Sequence, residues 1–227
     1  MQTQKNEFIL QAWYEKNGLI KYTAHRDVIN VFYISLIRAK LPLCYTEGFN
    51  RIPRLSFSPA LSLGISSKCE FVNIYLNKRV EADGELLKRF NDAFPPGIIF
   101  NRLEYVETDI NKTVEKIKAF EYRCEIEADC SLMEEIGEEI KQKIAAIGSA
   151  EKVMVNYNDR VRDIRPYIDE CEFFSASGRP GFMVKTLLIA GSSIKPQLVM
   201  NYILEKYKEK AMYCVSIQKE KIIYKSQ

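Results

Sequence analysis

Residues 7–14, Glu7-Phe8-Ile9-Leu10-Gln11-Ala12-Trp13-Tyr14, form a dense aromatic and aliphatic run of the kind that makes a strand. Gly18 breaks the run, and the positions Val28, Val31, Phe32, Ser35, Leu36 and Ala39 then recur at helical spacing. Thr23 stands where a helix N-cap belongs, and Pro42 closes the segment. Working outward, residues 55–63 and 69–76 read as two further strands separated by a turn at 64–68. Asp83 starts a second helix with Leu86, Leu87, Phe90, Ala93 and Phe94 on one face, stopped at Pro95-Pro96-Gly97. Residues 98–106 complete the set as a strand.

The second half repeats this order without repeating its residues. A strand is predicted over 120–126, then a helix opened by a Ser131/Glu134 capping box and carrying Met133, Ile136, Ile140, Ile144 and Ile147, with Gly148 as its stop. A strand over 152–157, a turn at Asn158-Asp159, a return over 160–168, a strand over 181–189 and a last strand over 212–217 follow. Ser193 is placed to cap a helix running to Tyr207, with Lys206, Lys208 and Lys210 at its negative end. Two successive strand–helix–strand–strand–helix–strand patterns give an α+β chain of two tandem ferredoxin-like units with antiparallel sheets. The polar span 108–118 separates them, so the units are expected over 1–110 and 111–227.

Composition limits the function. The chain has 227 residues, 47% hydrophobic and 28% charged, with a formal net charge of only +3. A nucleic-acid site must therefore be a local patch rather than a basic surface. The polar start predicts no secretory leader, and no run approaches the ~18 apolar residues that span a bilayer, so a cytoplasmic protein without membrane contact is expected. The six cysteines, at 44, 69, 124, 130, 171 and 214, show no CxxC spacing, and there is one histidine, so no metal site is expected. The Walker loop, GxGxxG, HExxH, GxSxG and the CxxxCxxC cluster motif do not occur either.

The most unusual segment is Tyr45-Thr46-Glu47-Gly48-Phe49-Asn50-Arg51-Ile52-Pro53-Arg54-Leu55-Ser56-Phe57. Gly48 and Asn50 permit tight backbone whose amides face an anion, Arg51 and Arg54 offer guanidinium forks to phosphate, and Phe49 and Phe57 offer rings to a base. The plain alternative is a crossover loop with its arginines in solvent and its phenylalanines in the core. His25 is the candidate for proton transfer. With Thr23 as N-cap it lies in the first helical turn, where the dipole favours the neutral base and Arg26 adds to an anion site. Its plain alternative is ordering the start of the helix. Arg160, Arg162 and Arg165, alternating with Val161 and Ile164, make either a phosphate patch or an ordinary sheet surface with local Arg–Asp pairs.

Thr23-Ala24-His25-Arg26-Asp27, the run from Gly48 to Phe57 and Leu61-Ser62-Leu63-Gly64 together resemble the radical SAM-linked protein family, a domain fused to or encoded beside cobalamin-binding-type radical SAM proteins. The similarity is clearest over 8–107 and continues through Arg160-Val161-Arg162-Asp163-Ile164-Arg165-Pro166. Where that family commonly has a histidine between the asparagine and the proline, this sequence has Ile52. The resemblance implies an accessory module that binds RNA or a tRNA-like substrate for modification. The radical SAM partner would carry the iron–sulfur cluster and SAM, and the substrate would be tRNA or ribosomal RNA. Two other readings stand beside it: a metal-independent RNA-processing enzyme using His25, and a protein-binding adaptor without RNA contact.

Overall fold

The computed structural model describes residues 7–107, 110–207 and 213–225, without the side chains of residues 110, 130, 131, 213 and 214. The chain is mixed α+β and divides into two compact units, Met1–Lys116 and Ile117–Gln227.

The first unit runs β1 (Phe8–Lys16), α1 (His25–Arg38), β2 (Leu55–Phe57), β3 (Ser66–Leu76), α2 (Gly84–Ala93), β4 (Ile98–Val106) and the short α3 (Ile110–Glu115). Its sheet order is β4-β1-β3-β2, antiparallel throughout, with Leu10 opposite Ile74, Ala12 opposite Leu103 and Ser56 opposite Asn73. Alternation along the strands puts Leu10, Ala12 and Tyr14 of β1 and Val72, Ile74 and Leu76 of β3 in one core with Phe32 and Leu36 of α1 and Leu86 and Phe90 of α2. Phe32, Phe94 and Phe100 meet edge to face at its centre, with Phe32 and Phe94 centroids 4.8 Å apart. The Asp83 side chain accepts the Leu86 amide at 2.8 Å and so caps α2 as its sequence predicts. Thr23 is not the cap of α1. That position falls to Ala24, because a 3-10 turn over Gly18–Tyr22 consumes the preceding chain and Thr23 ends it. The predicted strand 55–63 shrinks to β2, and the amide of Ser58 still reaches the Phe71 carbonyl at 2.9 Å before the chain leaves the sheet.

The second unit runs β5 (Ile117–Ala128), α4 (Cys130–Ser149), β6 (Met154–Tyr157), β7 (Arg160–Asp163), β8 (Ile168–Ala176), β9 (Arg179–Leu187), α5 (Pro196–Ile203) and β10 (Tyr213–Tyr224). Its antiparallel order is β10-β5-β9-β8, while β6 and β7 form a separate hairpin. Asn158 and Asp159, at φ 49 and 57, make the two-residue turn of that hairpin. The sequence expectations change at several points here. The return over 160–168 stops at Asp163 and turns through a 3-10 segment, Arg165–Tyr167, and the partner of β9 is β8, which the sequence pattern does not announce. The last helix starts at Pro196 rather than after Ser193, because the Ser193 hydroxyl is bonded to Thr186 and Pro196 supplies the first-turn residue; its α part ends at Ile203 and a 3-10 turn, Glu205–Tyr207, carries the helical run on to Tyr207. Helix α4 passes Gly148 and closes at Ala150. It begins at Cys130 with Asp129 in the N-cap position, so Ser131 falls inside the first turn instead of capping it, and Lys208 and Lys210 lie outside the described residues.

Candidate functional site

The loop before β2 is an arch with both legs fastened to β3. The Cys44 amide donates to the Tyr75 carbonyl at 2.8 Å, the Arg54 amide to the Cys44 carbonyl at 2.8 Å, and the Tyr75 amide to the Arg54 carbonyl at 3.2 Å. Higher up, the Thr46 amide reaches the Ile52 carbonyl at 2.9 Å and the Ile52 amide reaches the Thr46 hydroxyl at 3.3 Å. The tip is exposed, including Gly48, Asn50 and Arg51, and Gly48 has φ +150, a conformation that side-chain-bearing residues rarely adopt. Phe49 is fully exposed, at 104% of its reference area, with its ring in solvent rather than in the core. Beneath the arch lies an open pocket of about 710 Å³, lined by Glu7, Tyr45, Thr46, Glu47, Arg51 and Arg54 among others.

Arg54 is not free to meet a phosphate. Its guanidinium is ion-paired with Glu7 and lies 4.4 Å over the Tyr75 ring, so it fastens the base of the arch. Arg51 is the loop's exposed guanidinium, and Ile52, the position of the resembled family's histidine, is a half-exposed aliphatic side chain. Phe57 is not at the tip either. It packs edge-on against Phe32 and His25, with centroid distances of 5.0 and 5.7 Å.

His25 is the first residue of α1, and Arg26 follows it on the exposed side. Behind the imidazole is a group of buried polar side chains that sequence reasoning missed. Glu70, 3% exposed, accepts the Ser58 hydroxyl at 2.8 Å and the Ser67 hydroxyl at 2.7 Å. Lys16, 4% exposed, donates to the Thr23 carbonyl at 3.2 Å. Burial lowers the Lys16 pKa, with the Glu70 charge opposing. Burial and then the Lys16 charge lower that of His25, again against Glu70. Burial, reinforced by Glu70, holds Tyr14 well above the usual phenol value. The signal was present in the alternation: Lys16 continues the inward parity of Leu10, Ala12 and Tyr14, and Glu70 that of Val72, Ile74 and Leu76. The cavity between these groups is only about 10 Å³, room for about one water and for no substrate.

The three arginines of the second unit separate. Arg160 and Arg162 are exposed on β7, Arg160 opposite Tyr157 and Arg162 with its guanidinium 5.8 Å from the Tyr157 ring. Arg165 instead donates to the Ile168 carbonyl at 2.9 Å, which ties the 3-10 turn to β8 and removes it from the patch. Arg179 is paired with Glu127 at 3.0 Å. Among the described residues no three His, Cys, Asp or Glu side chains are placed to hold a metal ion, and no helix is long and apolar enough to cross a membrane. Burial pushes the Cys171 thiol up to about 12 and Cys124 higher still, the reverse of a nucleophile.

A sequence profile described as "Uncharacterized protein conserved in bacteria (DUF2344)" matches residues 10–201. No curated protein matches the chain. Among solved structures, an unknown protein from Galdieria sulphuraria is similar at 11% identity, with 94% of this chain and 98% of that one covered and a TM-score of 0.25. A putative glycine cleavage system transcriptional repressor is similar at 8% identity, covering 94% and 99%, with a TM-score of 0.22.

Proposed function

Starting from a chain that belongs to the uncharacterized bacterial family DUF2344, we propose that it is an accessory RNA-binding module whose first contact with RNA is the arch of residues 44–54. The observation that carries this is Phe49. A fully exposed phenylalanine on a glycine-containing tip, beside an exposed arginine, offers apolar area that a stacked base would take out of water, and the hydrogen-bonded legs carry that tip above the sheet. An unpaired base offers the flat apolar face and Arg51 the charge for its phosphate. The resemblance to radical SAM-linked proteins supplies the partner: a radical SAM enzyme in the cytoplasm, carrying its own cluster and SAM, to which this module presents tRNA or ribosomal RNA. We read each unit as ferredoxin-like, a reading that the strand orders β4-β1-β3-β2 and β10-β5-β9-β8 support.

Fluorescence anisotropy with labelled tRNA and ribosomal RNA fragments at several salt concentrations tests this. Removing a stacked ring costs about 1–3 kcal/mol, so Phe49→Ala weakens binding about 5- to 150-fold. Arg51→Ala lowers the log–log salt slope by about 0.7–0.9 if it meets one phosphate. Neither substitution touches the core, so melting temperatures stay unchanged. RNA binding that ignores both refutes the site. No RNA binding at low salt, with nuclease-resistant co-purification of a radical SAM protein, leaves the protein adaptor. The enzymatic alternative rests on His25 beside Lys16 and Glu70, and it requires metal-independent RNA cleavage that His25→Ala abolishes.

A further inference from the structure

The second unit has a cleft of about 490 Å³ between the β6–β7 hairpin and the segment leading into α5, within the size range of small-ligand sites. Its walls include Tyr157, Arg162, Asp163, Ser192 and Lys195. The charge there is uneven. Arg162 and Lys195 are exposed, and among the described residues both face the Tyr157 side chain rather than a carboxylate. Asp163, the acid of the cleft, is turned to other work: its carboxylate accepts the Val153 amide at 2.9 Å and the Arg165 amide at 3.0 Å. Those backbone donors, Val153 foremost, keep it ionised below the ordinary range, and they orient it into its own turn.

The donors are also held in advance. Lys195 Nζ donates to the Tyr157 hydroxyl at 2.8 Å, joining two elements far apart in sequence and leaving the phenol proton to point elsewhere. That bond, with the Lys195 charge, lowers the Tyr157 pKa and sharpens it as a donor. Ser192 sits on a tight turn closed by reciprocal backbone bonds with Ile189 at 2.8 and 2.9 Å, over Ala190 and Gly191 at φ 49 and 76. Two unneutralised cations with two hydroxyl donors match an anion of charge near −2 and several acceptor oxygens.

We propose that this cleft binds a phosphate monoester, with Arg162 and Lys195 as charge partners and Tyr157 and Ser192 as hydroxyl donors. The site stands whether or not the arch of the first unit binds RNA. A phosphate monoester is found on small organic phosphates and on the 5′ end of an RNA chain, and the experiment separates these sources. The full chain is titrated with ribose 5-phosphate by calorimetry, and with one hexanucleotide in 5′-phosphorylated and 5′-hydroxyl forms by anisotropy. Arg162→Gln and Lys195→Gln are compared with Lys141→Gln, the same charge change on α4, after their melting temperatures are checked against the parent.

Binding of ribose 5-phosphate, weakened about tenfold or more in the two cleft variants and unchanged in Lys141→Gln, supports the site with a small ligand. A preference of about tenfold or more for the 5′-phosphorylated RNA, lost in the same two variants, supports it with an RNA terminus. Neither binding nor preference, survival of either effect in both cleft variants, or equal loss in Lys141→Gln overturns the proposal.

Discussion

Replacing Glu70 by alanine tests the buried polar group beneath α1. Glu70 is 3% exposed and takes two short hydroxyl bonds from Ser58 and Ser67, while Lys16 beside it is 4% exposed. Truncation strips the lysine of its neighbouring negative charge and takes an acceptor from both serines. Breaking one side of a buried charge arrangement costs about 3–5 kcal/mol. For a unit of this size that is a fall in melting temperature of about 12–20 °C. Urea unfolding followed by tryptophan fluorescence is the assay, because the chain has one tryptophan, Trp13 on β1, packed at a tilt with its ring centroid 4.9 Å from that of Phe71, so the signal reports the first unit. Lys16→Met combined with Glu70→Leu removes both charges and restores much of the loss, with a coupling of about 2 kcal/mol. A Glu70→Ala cost below about 1 kcal/mol, or additive losses in the double variant, refutes a coupled buried pair.

Two further outcomes follow from the same unit. The His25 pKa is lowered by burial and by Lys16. The folded state therefore resists a proton that the unfolded chain accepts below its usual value of about 6.5, so stability declines as pH falls from that value to the lowered folded one. Melting curves across this range should show a shallower decline in His25→Asn, and an identical pH profile would count against the shift. Gly97 has φ +95, and a Cβ there would lie 2.5 Å from the Asn17 carbonyl oxygen, whose own amide donates to the Gly97 carbonyl. Gly97→Ala should cost about 1–3 kcal/mol in urea unfolding, whereas Gly84→Ala, in open space on α2, should be neutral or stabilising.

What could be read from the sequence depended on whether local chemistry and tertiary placement agreed. Strand β4 and the Asp83 cap of α2 are visible because alternation and capping are local. Thr23 looked like a cap by residue type, yet the choice between Thr23 and Ala24 was made by a 3-10 turn with no strong signature of its own. Strand β8 was hidden because Asp169, Glu170 and Glu172 are exposed and only Ile168 is fully buried. At the site, Arg51 and Phe49 are where a solvent-facing loop puts them, and Arg54 is not, since no sequence rule pairs it with Glu7 across the intervening helix. His25 could be singled out as the chain's one histidine. Its neighbours Lys16 and Glu70 come from strands whose pairing had to be known first, with Lys16 opposite Ser67.

The polarity that concealed β8 has a use of its own. This strand ends the sheet of its unit, and among the described residues no strand lies along its outer side. An open row of amides and carbonyls is a template on which another chain can add, and a flat apolar edge would invite fibre growth. Here the edge carries carboxylates at 169, 170 and 172, with Lys118 and Lys185 paired to the first two. An incoming strand would have to strip water from those charges and break those pairs, so the composition that makes β8 a poor-looking strand also keeps it from recruiting further copies of itself.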